Sequence, residues 1–213
     1  MTYLPAHFAE TDSARLHALV RAHPLATWVV QHEGVLLVNH IPMLLDVNRG
    51  EHGTLVGHMA RANPVWQALA AGAQSVAVFT GAQAYVSPNW YPSKHANGMA
   101  VPTWNYATVH AHGVPQAFED ADRVLEIVTQ LTQNHEAGQA FPWQVSDAPA
   151  DYITKLLRAI VGIELPVQRW VGKWKVSQNR PAADQQGVVA GLADQAGEAA
   201  AQMAALVQQR IKA

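Results

Sequence analysis

Apolar residues recur at helical spacing at Leu16, Leu19 and Val20, just behind Asp12 and Ser13. This predicts a helix capped by one of those two polar residues and closed before His23-Pro24. The period then changes. Residues 27–31 (TWVVQ) and 35–41 (VLLVNHI) flank His32-Glu33-Gly34, which predicts a β-hairpin with glycine in the turn. Residues 54–60 (TLVGHMA) predict a third strand, 75–80 (SVAVFT) a fourth closed by Gly81, 101–112 a fifth, and 164–179 one or two more, interrupted near Pro166. Asn63-Pro64 opens a short helix, VWQALAAG, with Asn at the cap and Pro at the first helical position, where a missing N–H does no harm. The stripe Val124, Leu125, Val128 and Leu131 predicts a longer helix over 120–136, and the Ala/Gln-rich run 194–211 a last one despite Gly197. There is no internal repeat. The pattern predicts a mainly β fold with helical additions (α+β). Its core is a small closed or nearly closed barrel, an arrangement that also removes exposed sheet edges. The expected organisation is one domain over residues 1–192 and a helical tail over 193–213.

Side-chain alternation sharpens the picture along the fifth strand. Trp104, Tyr106, Thr108, His110 and His112 share one face, and Thr103, Asn105, Ala107, Val109 and Ala111 the other. One face is aromatic and titratable; the other is small. In GKWKVSQN, Lys173, Lys175, Ser177 and Asn179 alternate with Trp174, Val176 and Gln178, which reads either as an anion shelf or as an ordinary solvated strand face. GHMARANP brings His58 and Arg61 to the start of the Pro64 helix, where free N–H groups favour an anion, although a plain Asn cap with a surface Arg explains it equally. His110 and His112 could ligate a metal from one strand face, but no acid follows until Glu119, so the cupin spacing fails. Neither Ser87 nor Ser177 has a nucleophile-elbow context, and no Gly-rich phosphate loop occurs.

Composition narrows the class. The 213-residue chain is 49% hydrophobic and 14% charged, enough apolar surface to fold as a globule. It has no cysteine, which excludes disulfides and thiolate chemistry and points to the cytoplasm. Neither a signal-peptide pattern nor an 18-residue apolar run is found, so no membrane association is expected. The formal net charge of -2 lacks the basic footprint of a dedicated DNA binder.

Several blocks, in order, carry a family resemblance: Tyr3-Leu4-Pro5-Ala6-His7-Phe8, GHMARANP, AYVSPNWYPSK, VPTWNYATVHAHG, LTxxHE at 131–136, AIVGIEL and GKWKVSQNR. From Tyr3 to about Leu192 the chain resembles the PaiB-type FMN-binding negative transcriptional regulators. The resemblance implies a split β-barrel like that of pyridoxamine 5'-phosphate oxidase, a homodimer, and FMN held between the subunits. DNA as a partner follows from the resemblance alone and is not supported by charge. FMN needs cations for its phosphate, polar groups for its pyrimidine edge and flat apolar surface for its ring. Arg61 and Lys94 are the first phosphate candidates, supported by His58, Ser87, Lys175 and Ser177. Trp90, Tyr91, Trp104 and Tyr106 are the ring candidates, and Asn105, Gln178 and Asn179 the edge readers. On this reading the segment 87–106 is a strand end, a stiff loop carrying Lys94, and the next strand start. Two alternatives stay open: an FMN-dependent oxidoreductase in which His110 or His112 assists proton transfer, and a metal-dependent enzyme using that His pair.

Overall fold

A computed structural model describes residues 2–69 and 71–211. In chain order the strands are β1 (Ala9–Glu10), β2 (Leu25–His32), β3 (Val35–Pro42), β4 (Leu44–Asp46), β5 (Thr54–Ala60), β6 (Ser75–Val86), β7 (Thr103–Gly113), β8 (Gln116–Phe118), β9 (Ile160–Pro166) and β10 (Arg169–Lys175). The helices are α1 (Ser13–Ala22), α2 (Val65–Leu69), α3 (Pro92–Asn97), α4 (Ala121–Glu136), α5 (Ala150–Leu157), α6 (Ala182–Ala193) and α7 (Glu198–Gln208). The chain forms two compact units: Met1–Leu19, Thr80–Val109 and Val171–Ala213 make the first, Val20–Phe79 and His110–Trp170 the second. Strands β6 and β7 contribute residues to both. None of the described helices is long and apolar enough to cross a membrane.

In the first unit the strand order is β1-β10-β7-β6, with Ala9 opposite Lys173 and Glu10 opposite Gly172. Asp12 caps α1, accepting from the Ala14 N–H at 2.9 Å. On β7 the small face is the core face: Asn105, Ala107 and Val109 are buried, while Trp104, Tyr106 and Thr108 look outward. Helices α6 and α7 bury Val188, Leu192, Met203 and Val207.

The second unit contains the order β6-β2-β3 and a four-stranded sheet, β4-β5-β9-β8. The β2–β3 hairpin turns on Glu33 and Gly34, both at positive φ (49° and 79°), the conformation that a two-residue primed turn demands. Its register sets Trp28 opposite Asn39 and Val29 opposite Val38. Asp120 caps α4 by accepting from the Arg123 N–H at 2.8 Å. The buried stripe Ile127 and Leu131 packs on Val56, with Leu44 and Phe118 against it.

Several elements differ from the sequence expectation. Strand β6 runs on to Val86 rather than stopping at Gly81. Its buried positions switch from Ser75, Ala77 and Phe79 to Ala82, Ala84 and Val86, an extra residue absorbed at Thr80–Gly81 as in a β-bulge. Glycine fits there because a Cβ at 81 would stand 2.9 Å from Leu19 Cδ1. The strand expected over 164–179 is β9 and β10, begins earlier, at Ile160, and ends at Lys175. Beyond it Ser177 takes φ 62°, which breaks the alternation and buries Ser177 alongside Val176. The segment 87–106 contains a 3-10 turn at Pro88–Trp90 and α3, closed by left-handed Gly98 (φ 71°). Helices α5 and α6 were not signalled. The tail helix starts at Glu198 because Gly197 (φ 115°) interrupts it. Ala70, inside the expected short helix, and the last two residues of the expected tail lie outside the described residues.

Candidate functional site

Most of the candidate residues belong to the first unit, and a subset of them shares the outward face of its sheet. Trp104 is half-exposed; its indole N–H donates to Gln83 Oε1 at 3.2 Å and its ring stands edge-on to Tyr85 at 6.3 Å. Lys175 Nζ reaches across from β10 to the Trp104 carbonyl at 2.6 Å and to Thr103 Oγ1. Lys173 Nζ lies between the rings of Tyr3 and Tyr106, 5.5 and 5.4 Å from their centroids, and donates to the Tyr3 carbonyl at 3.0 Å. Burial first, then the nearby charges of Lys173 and Arg180, push the Lys175 ammonium below the usual lysine range. No Asp or Glu occurs in β6, β7 or β10, so this face is aromatic and cationic without an internal counter-charge. Sequence reasoning placed Lys173 on a possible anion shelf without naming it among the flavin contacts, and it did not single out Gln83, Tyr85 or Tyr3 as contacts. Once β6 is carried to Val86, period-2 alternation puts Gln83 and Tyr85 with Trp104.

Other candidates of this unit face inward or are held by neighbours. Tyr91 is fully buried with the Arg180 guanidinium 4.8 Å above its ring, and burial raises its phenol pKa. Trp90 lies on α6, in the notch left by two glycines: a Cβ at Gly187 would stand 1.9 Å from the Trp90 carbonyl oxygen, and one at Gly191 2.3 Å from the indole. Asn105 is buried; its amide donates to Ser177 Oγ at 2.9 Å and its Oδ1 has no hydrogen-bond partner among the described residues. Gln178 folds back to bond the Val176 N–H (2.8 Å) and the Trp174 carbonyl, and Asn179 is exposed. Ser87 caps the 3-10 turn through the Asn89 N–H at 3.2 Å, and Lys94 bonds the Asn89 side chain. Asp184, also buried, accepts from Ser93 N–H and Oγ (3.0 and 2.7 Å) and so fastens α3 to α6.

His58 and Arg61 belong to the second unit. His58 lies opposite Gly162; its Nδ1 is buried without a hydrogen-bond partner among the described residues, and burial lowers its pKa, favouring the neutral imidazole. Arg61 is tied to the carbonyls of Arg158 (2.9 Å) and Ile160 (3.3 Å) and to the Glu119 carboxylate. The rings of His110 and His112 are 6.3 Å apart. Burial, then Arg169 and His110, lower the His112 pKa, and its Nε2 has no hydrogen-bond partner among the described residues. Among the described residues no group of three or more His, Asp or Glu is placed to hold a metal ion.

Antiparallel sheets with about as much helix as strand, rather than a mainly β fold, make this a mixed α/β protein of the split-barrel fold class. Residues 2–169 match the family described as "Putative FMN-binding domain", and the chain belongs to that family, whose cofactor is FMN. It is 28% identical over 99% of its length to the "Protease synthase and sporulation protein PAI 2" of Bacillus subtilis, covering 98% of that protein. It is 32% identical over 98% of its length to an uncharacterized protein of Emericella nidulans, covering 97% of it. Among solved structures it resembles the FAD and heme binding protein of Mycobacterium smegmatis, at TM-score 0.59 and 21% identity over 78% of this chain and 73% of that one. The flavocytochrome Anf3 of Azotobacter vinelandii matches with TM-score 0.58 and 15% identity, over 81% and 72%. These likenesses extend to the fold. The family match ends before Lys173, so it takes in Trp104 and Tyr106 but neither lysine.

Proposed function

We propose that the protein holds FMN against the outward face of β7, with the flat ring on Trp104 and Tyr106 and the phosphate toward Lys175 and Lys173. The observation that carries this reading is the pairing of exposed rings with two ammonium groups on a face without a carboxylate. These residues fit FMN: rings for the isoalloxazine, ammonium groups for the phosphate and the Gln83 amide for a polar edge. Bound there, the flavin would supply electron-transfer chemistry. The chain's own part is to bind and orient it. A phosphate beside Lys175 would restore the stabilisation that burial removes from its ammonium. Replacing Lys175 by Ala is expected to weaken FMN binding by roughly 1.5–3 kcal/mol, the usual worth of a hydrogen bond to a charged group. Flavin fluorescence titration reads this directly, and wild-type affinity in both Lys175→Ala and Lys173→Ala would move the flavin elsewhere.

His58 and Arg61 are the second unit's proposed anion contacts. The Arg61–Glu119 pair is open to solvent, and such pairs contribute at most about 1 kcal/mol, so an incoming anion can displace Glu119 while the two carbonyls keep the guanidinium in place.

The proposed assembly is a homodimer. By register, Val29, Val38, Leu36, Val76 and Val78 share one face of β6-β2-β3, and Leu36 and Val38 are 65% and 56% exposed. An uncovered apolar sheet face is what a second copy would bury. Val38→Asp is expected to shift sedimentation from dimer to monomer and to reduce bound FMN. A wild-type monomer carrying stoichiometric flavin would sink the shared-flavin arrangement. The regulatory role rests on the resemblance to PaiB-type proteins. With a net charge of -2 it is proposed to act through a partner or metabolite rather than by direct DNA contact. The cytoplasm is the proposed compartment, on the absence of cysteine.

A further inference from the structure

The second unit contains a cleft of about 740 Å³ between the end of α1, β4, the Arg49 loop and α4, within the size range of small-molecule sites. Its floor is apolar, built from Met43, Leu44, Val56 and Ile127, and its wall carries Arg21, Arg49 and Arg123. Two of these guanidiniums are fixed before any ligand arrives. Arg49 and Arg123 both donate through Nη2 to one oxygen of Glu164, whose side chain is only 13% exposed. Arg123 is further held 3.9 Å above the Phe118 ring, and the Arg49 carbonyl accepts from buried Thr54 Oγ1 at 2.8 Å. A guanidinium has five N–H donors. Among the described residues, Nε and Nη1 of both arginines make no hydrogen bond, while Asp46 is occupied by the Asn48 N–H and Glu126 by Gln130. The wall therefore offers rigid, unspent donors beside an apolar floor.

We propose that this cleft binds a small organic monoanion, a carboxylate on an apolar body. The planar guanidinium fork matches a carboxylate, and Glu164 already occupies part of that geometry. A low ligand charge follows from the balance of the site. Arg21, Arg49 and Arg123 are matched by Asp46, Glu126 and Glu164, so a polyphosphate would meet repulsion that a monocarboxylate largely escapes.

Octanoate, titrated calorimetrically into the full chain, is the probe. One saturable site is expected, with the neutral octanol binding about tenfold more weakly or worse, since it forfeits a charge-assisted hydrogen bond. Because Arg49 and Arg123 also hold Glu164, the test variants are Ala137→Trp and Ala22→Trp, both exposed residues of the cleft lining that can plug it without disturbing the core. Both are expected to abolish octanoate binding and leave FMN uptake intact. No saturable octanoate site, equal binding of octanol, or octanoate binding that survives both plugs would overturn the proposal. So would loss of FMN uptake in folded plug variants, because the cleft would then be the flavin's.

Discussion

Helix α6 carries glycine at 187 and 191, each of which weakens a helix by about 0.8–1.0 kcal/mol relative to alanine. The indole and carbonyl of Trp90 are the reason for both. A methyl at 191 would meet the indole at 2.3 Å, and overpacking of that kind costs roughly 1–3 kcal/mol, more than the propensity gain. Gly191→Ala is therefore expected to lower the denaturation midpoint, and a more stable variant would show that the notch is loose. The same contact shows why single residues were hard to assign. Trp90 and Tyr91 read as flavin-ring candidates in a loop broken by proline; their partners in α6 and at Arg180 lie about a hundred residues on, where no local spacing can point. Asn105, read as an edge contact for the flavin, is buried instead, although alternation had already grouped it with the small residues Ala107 and Val109.

At the scale of elements, local periodicity recovered α1, α4, β5 and the β2–β3 hairpin, each of which declares itself by a cap, a turn or a clean period. It failed where the period itself is broken: at the extra residue in β6, and at Ser177, whose positive φ ends the alternation begun in β10. Glycine-bearing α6 has a weak local signal and is held by packing instead, burying Val188 and Leu192. Just beyond the end of α7, Arg210 is tied to a buried carboxylate. Glu10 accepts from the N–H groups of Thr11 and Asp12 and from the guanidiniums of Arg15 and Arg210. Burial alone would raise its pKa, but the Asp12 N–H and the two arginines outweigh burial and hold it below the usual value. A carboxyl with a lowered folded-state pKa contributes stability that is complete above its unfolded value, near 4.5, and lost as pH falls through the folded one. Arg210→Ala should destabilise the protein by about 1–3 kcal/mol at pH 7 in urea unfolding, with a smaller difference from wild type under acid. An equal loss at pH 7 and pH 3 would dissociate the contribution of Arg210 from the Glu10 charge.

For the whole molecule, the strand inventory indicated a mainly β barrel, and the resemblance supplied the flavin. What neither could supply was the division into two interleaved units, since contacts far apart in sequence define it. The family match at 2–169 covers nearly all of the second unit but leaves β10 beyond Arg169, α6 and α7 outside. In the first unit β10 lies between β1 and β7, so a chain cut after Arg169 loses an interior strand. Such a truncation is expected to be insoluble or to melt without cooperativity; a soluble product with a sharp transition would mean that the matched span folds by itself. The position of Lys175 at that strand's end has a practical consequence. An amine partly stripped of water releases its proton more readily than an ordinary lysine, and the neutral amine is what acylating reagents attack. At limiting reagent Lys175 is expected to record coverage, marked when the aromatic face is bare and spared when something lies over it, which mass spectrometry would read without colour or catalysis.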